Sequence, residues 1–81
     1  VYPNPGAGRF RFSVDSAVSG PAGAEIYDLR GRHVRQLRAT GIGDLVWDGR
    51  NEGGRPSAAG TYFAVVRAGG RSWTTRFILT R

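Results

Sequence analysis

Arg71-Ser72-Trp73-Thr74-Thr75-Arg76-Phe77-Ile78-Leu79-Thr80 is the stretch that decides the fold. Trp73, Thr75, Phe77 and Leu79 alternate with the polar Ser72, Thr74, Arg76 and Thr80, and successive side chains of a strand point to opposite faces of its sheet. Trp73, Phe77 and Leu79 are therefore expected in a core. Upstream, Ala68-Gly69-Gly70 separates this run from Thr61 to Arg67, a second stretch rich in β-branched and aromatic residues. Two such runs about a glycine pair predict a hairpin of two long strands.

Moving toward the N-terminus, Asp48 to Ala59 holds Gly49, Gly53, Gly54 and Pro56 and predicts a long, turn-rich connection. Leu45-Val46-Trp47 before it predicts a short strand, and Thr40-Gly41-Ile42-Gly43 a loop. His33 to Arg38 predicts another strand with a conflict in it: Val34 and Leu37 stand three apart. Both can face inward only if a bulge or a strand end falls between them. Asp28-Leu29-Arg30-Gly31 has Asp at the first turn position and Gly at the fourth, where a carboxylate bonds the turn amides and Gly accepts positive φ. Ala24 to Leu29, with Ile26 and Tyr27, enters that turn as a strand. Gly20-Pro21-Ala22-Gly23 breaks the chain before it.

Arg9-Phe10-Arg11-Phe12-Ser13-Val14 alternates strictly, placing Phe10, Phe12 and Val14 on one face and Arg9, Arg11 and Ser13 on the other. No window carries apolar residues at helical spacing for three turns, so no helix is expected. Six or seven short strands joined by glycine turns predict an all-β domain of two packed antiparallel sheets.

Length and charge narrow the possible functions. A chain of 81 residues makes one domain, 1–81. About 60% of its unfolded surface can be buried, which leaves little room for a catalytic cleft. Without cysteine, neither disulfides nor a thiolate metal site can hold the core together. Net charge of +6 favours anionic partners such as lipopolysaccharide, acidic polysaccharide or nucleic acid through an attraction that salt screens. The basic residues are all arginines, spread from Arg9 to Arg81 without a block, the pattern of a solvated surface. The sequence opens at Val1 and shows no signal peptide and no membrane span of roughly 20 apolar residues, so it is expected to be a piece of a longer polypeptide.

Four motifs occur in order: Val1-Tyr2-Pro3-Asn4-Pro5, Ile26-Tyr27-Asp28-Leu29-Arg30-Gly31-Arg32, Trp47-Asp48-Gly49-Arg50 and Gly60-Thr61-Tyr62-Phe63. Together they resemble the immunoglobulin-like domain of the flagellar hook-capping protein and the similar C-terminal sorting domains of type IX secretion cargo. The resemblance spans nearly the whole chain. It implies an immunoglobulin-like (fibronectin III-like) antiparallel β-sandwich at the C-terminal end of a secreted bacterial protein. In type IX cargo such a domain is recognised by the outer-membrane export machinery; in hook-capping proteins it is a scaffold. An acidic residue often stands in the family where Asn51 stands here, and Asn keeps the acceptor while losing the charge.

Residue by residue, the motifs are structural. Pro3 and Pro5 withhold amide donors and suit a leading linker or a sheet edge. Trp47 is expected as a core plug whose indole N–H finds a backbone partner. Asp48 is placed to bond the amides of the loop after it, and Gly60 to permit a turn that a Cβ would obstruct.

Few constellations carry chemistry. His33 is the lone histidine, and without cysteine it has no second strong nitrogen or sulfur ligand for a transition metal. Ser57, His33 and Asp48 supply the residue types of a triad, but nothing places a nucleophile on a strained elbow. The carboxylates Asp15, Glu25, Asp28, Asp44, Asp48 and Glu52 predict no pocket that would raise the pKa of one of them. Asp48-Gly49-Arg50-Asn51-Glu52-Gly53 is similar to a calcium loop, yet it lacks the Asp or Asn two places after the first Asp and a glutamate at the twelfth position. Gly41-Ile42-Gly43 lacks the third glycine and the helix of a dinucleotide site.

Trp47, Tyr62 and Trp73, if exposed in a row, would make a sugar-stacking platform, but a chain this short needs such side chains inside. A nucleic-acid surface would need basic residues interleaved with exposed aromatics on one face; Arg9, Arg11 and Arg76 supply only part of that, and no nucleic-acid partner is expected. The expectation is thus a non-catalytic module with no catalytic residue, cofactor or metal site and with contact residues unknown. It would act in secretion sorting, cell-surface attachment or structural spacing, be secreted or outer-membrane associated, and have the secretion machinery or an envelope component and an upstream catalytic domain as partners. A carbohydrate-binding module, with polysaccharide as partner, is the alternative.

Overall fold

The computed structural model describes residues 3–6, 9–12, 22–39 and 45–80. These form seven strands: β1 (Pro3–Gly6), β2 (Arg9–Phe12), β3 (Ala22–Asp28), β4 (His33–Ala39), β5 (Leu45–Trp47), β6 (Gly60–Ala68) and β7 (Arg71–Leu79). There is no helix among the described residues. The fold is all-β and every pairing is antiparallel. One sheet has three strands in the order β1-β2-β5, the other four in the order β4-β3-β6-β7. The predicted positions of Val14, of Thr40 to Gly43, and of Asp15 and Asp44 fall outside the described residues.

The β6–β7 hairpin turns on Gly69 and Gly70 alone, both at positive φ (58° and 75°), so Ala68 extends β6 instead of joining the loop. A two-residue turn with both φ positive matches the twist of the flanking strands, and glycine adopts it without a Cβ penalty. At the β3–β4 turn, Asp28 Oδ1 accepts the backbone amides of Arg30 and Arg32, each at 2.9 Å. Gly31 takes φ 84°, and its amide closes on the Asp28 carbonyl at 3.0 Å. Leu29, expected in the strand, sits on this turn with its side chain 69% exposed.

The conflict in β4 is resolved by a bulge. Ile26 pairs with Arg35 and Tyr27 with His33, leaving Val34 as the extra residue. The added residue shifts the alternation, so Leu37 is buried while Val34 packs against the margin of the core.

Both sheets contribute to one core. Phe10, Phe12, Leu45 and Trp47 come from the three-stranded sheet; Ile26, Tyr62, Val66, Phe77 and Leu79 are among those from the other. Phe77 is the centre, with ring centroids 4.7 Å from Phe10, 5.4 Å from Phe12, 5.6 Å from Trp47 and 6.1 Å from Tyr62. Burying a side chain of this size stabilises by about 1.5–3 kcal/mol, and offset or edge-on ring pairs add about 0.5–1.5 kcal/mol. Phe77 and Leu79 are buried as the alternation requires, but Trp73 on the same face is only half-buried. It pairs with Val66 near the turn end of a nine-residue strand, whereas β1, β2 and β5 have three or four residues each. Among the described residues, the short strands of the smaller sheet leave the Trp73 end of this inner face only partly covered.

Candidate functional site

The chemistry-bearing side chains are taken up by turns and edges. Trp47 is fully buried, and its Nε1–H donates to the Arg50 carbonyl at 2.9 Å, which holds the start of the 48–59 connection against the core. Asp48 Oδ1 accepts the Arg50 amide at 3.0 Å, as its position predicted. Asn51 Oδ1 accepts the Arg55 amide at 3.0 Å, the Asn51 amide donates to the Arg55 carbonyl, and the Gly54 amide donates to the Asn51 carbonyl. A neutral acceptor thus suffices for this turn. Gly49 and Gly54 supply its positive φ values of 77° and 81°. Gly60 has φ 153° with nothing within 4 Å of where a Cβ would stand. Backbone conformation, not a steric obstruction, is what favours glycine there.

Glu52 ties this connection to β4. Its amide donates to the Val34 carbonyl at 3.0 Å and its carboxylate accepts the Gln36 amide. Arg35 reaches the same connection, donating to the Asn51 carbonyl at 3.3 Å and lying 3.9 Å from Asp48 Oδ1. In the segment similar to a calcium loop, Asp48 Oδ1, Asn51 Oδ1 and Glu52 Oε1 each accept a backbone amide, and among the described residues no group of three or more His, Asp or Glu is arranged to hold a metal ion.

His33, Ser57 and Asp48 are not brought together as a triad. His33 and Ser57 both line an open depression beside the β3–β4 turn, shared with Asp28, Asn51 and Tyr62, but Asp48 is not on its lining. His33 projects from the edge strand against Tyr27 (ring centroids 5.5 Å, 78° apart), with Nε2 3.6 Å from Glu25 Oε2. Tyr27 Oη donates to that same oxygen at 2.8 Å, and this bond, more than the slight burial, raises the phenol above its ordinary pKa. Asp28 moves the other way: the Arg32 amide foremost lowers its carboxyl, burial next pushes it back up, and the Arg32 guanidinium and the Arg30 amide add to the lowering, so that it lies below the ordinary 3.8.

The sugar-stacking platform does not assemble. Trp47 and Tyr62 are core residues, the latter donating its hydroxyl to the Ala58 carbonyl at 2.6 Å, and only Trp73 is partly accessible. Arg76 is exposed, as the alternation predicted; the side chains of Arg9 and Arg11 lie outside the described residues.

The outer face of the four-stranded sheet is a surface the alternation of β7 left unremarked. Tyr27 pairs with Phe63, Phe63 with Arg76, and Thr61 with Ile78, so these side chains share the face turned away from the core. Ile78 is 63% exposed. The signal was in Tyr62-Phe63-Ala64-Val65-Val66, an unbroken apolar run that must place Phe63 and Val65 outside if Tyr62, Ala64 and Val66 are inside.

No known protein family matches the chain, and neither a curated protein nor a solved structure matches it.

Proposed function

We propose that the chain is a non-catalytic, immunoglobulin-like β-sandwich module of a secreted bacterial protein, serving sorting for export, attachment to the cell surface or spacing. Support for the sandwich comes from the strand order. The chain changes sheet between β2 and β3, between β4 and β5, and between β5 and β6, the connectivity of a Greek-key sandwich and not of an up-and-down barrel.

The observation that carries the functional reading is the placement of the aromatic side chains. Phe10, Phe12, Trp47, Tyr62 and Phe77 are all buried, while Asp28, Asp48 and Glu52 are bonded to turn and edge amides. Groups that would stack a substrate or move protons are used to hold the body rigid. What remains for function is surface: an arginine-bearing exterior, an outer sheet face and strand edges. The same placement disfavours a carbohydrate-binding module, whose platform would need Trp47 and Tyr62 outside.

The test is a fusion of residues 1–81 to a reporter in a bacterium with a type IX system. The reading expects reporter at the cell surface or in the medium well above that from the reporter without the module. Equal amounts with and without it would overturn the export and attachment roles.

A further inference from the structure

Each sheet edge must either be closed or meet a partner, because its outward N–H and C=O groups form a template for another strand. Three of the four edges among the described residues are blunted. β1 carries Pro3 and Pro5, which have no amide hydrogen to offer. β5 is three residues long. On β4 the bulge at Val34 interrupts the register, and Glu52 takes both the Val34 carbonyl and the Gln36 amide.

The fourth edge, β7, has none of these devices among the described residues. It runs for nine residues without proline, and its register with β6 is continuous from Gly60↔Leu79 to Ala68↔Arg71. The two-residue turn makes Ala68 and Arg71 a hydrogen-bonded pair, and bonded and non-bonded pairs then alternate along the hairpin. Ser72, Thr74, Arg76 and Ile78 therefore turn their N–H and C=O groups away from β6, at intervals of about 6.8 Å. Their side chains are all exposed.

The charge beside this edge has one sign. The sequence contains no Asp or Glu after Glu52, whereas β6 and β7 carry Arg67, Arg71 and Arg76. The ion pairs Arg32–Asp28, His33–Glu25 and Arg35–Asp48 among the described residues engage none of these three arginines. A second copy of this chain would set like charge against like, with +6 on each. We propose that the open edge of β7 accepts an extended acidic segment of a partner protein as an added antiparallel strand. This rests on the reading of the chain as an interaction module and names the place and the chemistry of the interaction.

Pairing geometry sets the partner's pattern. An acidic residue opposite Arg76 places the residue two before it opposite Ile78, where an apolar side chain is favoured. The residue five after it falls opposite Arg71, where a second acid is favoured.

The probe is acetyl-Val-Thr-Glu-Thr-Thr-Val-Thr-Glu-amide, N-methylated at alternate residues so that only one of its edges can pair. Amide hydrogen exchange of the full chain is followed by NMR at millimolar peptide. Exchange at Ser72, Thr74, Arg76 and Ile78 is expected to slow by about tenfold or more. The same peptide with its N-methyl groups shifted by one residue has equal charge and composition, and is expected to leave exchange unchanged. Thr74→Pro, which removes an outward amide, is expected to abolish the effect. Arg76→Glu, which leaves the core untouched, is expected to transfer the preference to the peptide with Lys in place of its first Glu.

Unchanged exchange with the first peptide, equal slowing with the shifted one, or slowing confined to β4 would overturn the proposal. Slowing without peptide that grows with protein concentration would assign the edge to a second copy and overturn it equally. The reporter fusion separates this outcome from the broader reading: export without peptide pairing removes the edge proposal alone, and pairing without export removes the export and attachment roles alone.

Discussion

Phe77 shows how one residue can join two sheets. It stands on β7 yet meets Phe10 and Phe12 of β2 and Trp47 of β5. Phe77→Ala would leave a void between those rings and is expected to cost about 3–5 kcal/mol. A domain of this size has only about 4–12 kcal/mol in total, so urea unfolding should find the variant marginal or unfolded, and a loss below about 1 kcal/mol would show that the rings do not pack as described. Asp28 supplies a pH dependence at the same scale. Its carboxyl titrates below the ordinary 3.8 in the folded chain, so its charged form is favoured by folding. The stabilisation is complete above the ordinary value and is lost as pH falls through the lowered folded value. Asp28→Asn keeps an oxygen for the Arg30 and Arg32 amides but removes the charge. Urea midpoints between pH 2 and 5 should therefore fall less steeply for the variant than for the parent, and parallel curves would deny Asp28 this role.

At the scale of the element, the edges divide the molecule into closed and open sides. Glu52 is exposed and bonds the Gln36 amide, so Glu52→Ala should cost no more than about 1 kcal/mol in global stability. Its local effect should be larger: hydrogen exchange at Gln36 is expected to quicken while that at Ala24 and Ile26 stays slow, and unchanged exchange at Gln36 would remove Glu52 from the edge. What was legible in the sequence follows the range of each interaction. Both long strands and their glycine turn could be read from Thr61 to Thr80, because alternation and φ preference are local. The Asp28 turn could be read for the same reason. In β4, the Val34 and Leu37 spacing announced a bulge or a strand end without deciding between them, since pairing with β3 is fixed by the neighbouring strand. The role of Glu52 was not legible at all, because its acceptor bond spans sixteen residues and no local pattern marks it. Trp73 was placed on the right face, but its half-exposure depends on how far the smaller sheet reaches, which the alternation of β7 does not contain.

For the whole molecule, the aromatic core and the open edge are two sides of one arrangement. With Phe10, Phe12, Trp47, Tyr62 and Phe77 joining the sheets and Asp28, Asp48 and Glu52 bonded to turn and edge amides, the surface among the described residues carries arginines and an edge, β7, with neither proline nor bulge. This is the physical basis for reading the chain as an interaction module. The division was only partly visible beforehand: Trp47 announced itself as a core plug through its motif, whereas the outward placement of Phe63, Val65 and Ile78 required knowing which face of β6 and β7 the smaller sheet covers. The most direct test of the shared core is an aromatic NOESY spectrum of protein labelled on its phenylalanine rings. Strong cross-peaks from Phe77 to both Phe10 and Phe12 are expected from centroid separations of 4.7 and 5.4 Å; their absence, with Phe77 seeing only β6, would mean that the two sheets do not share a core.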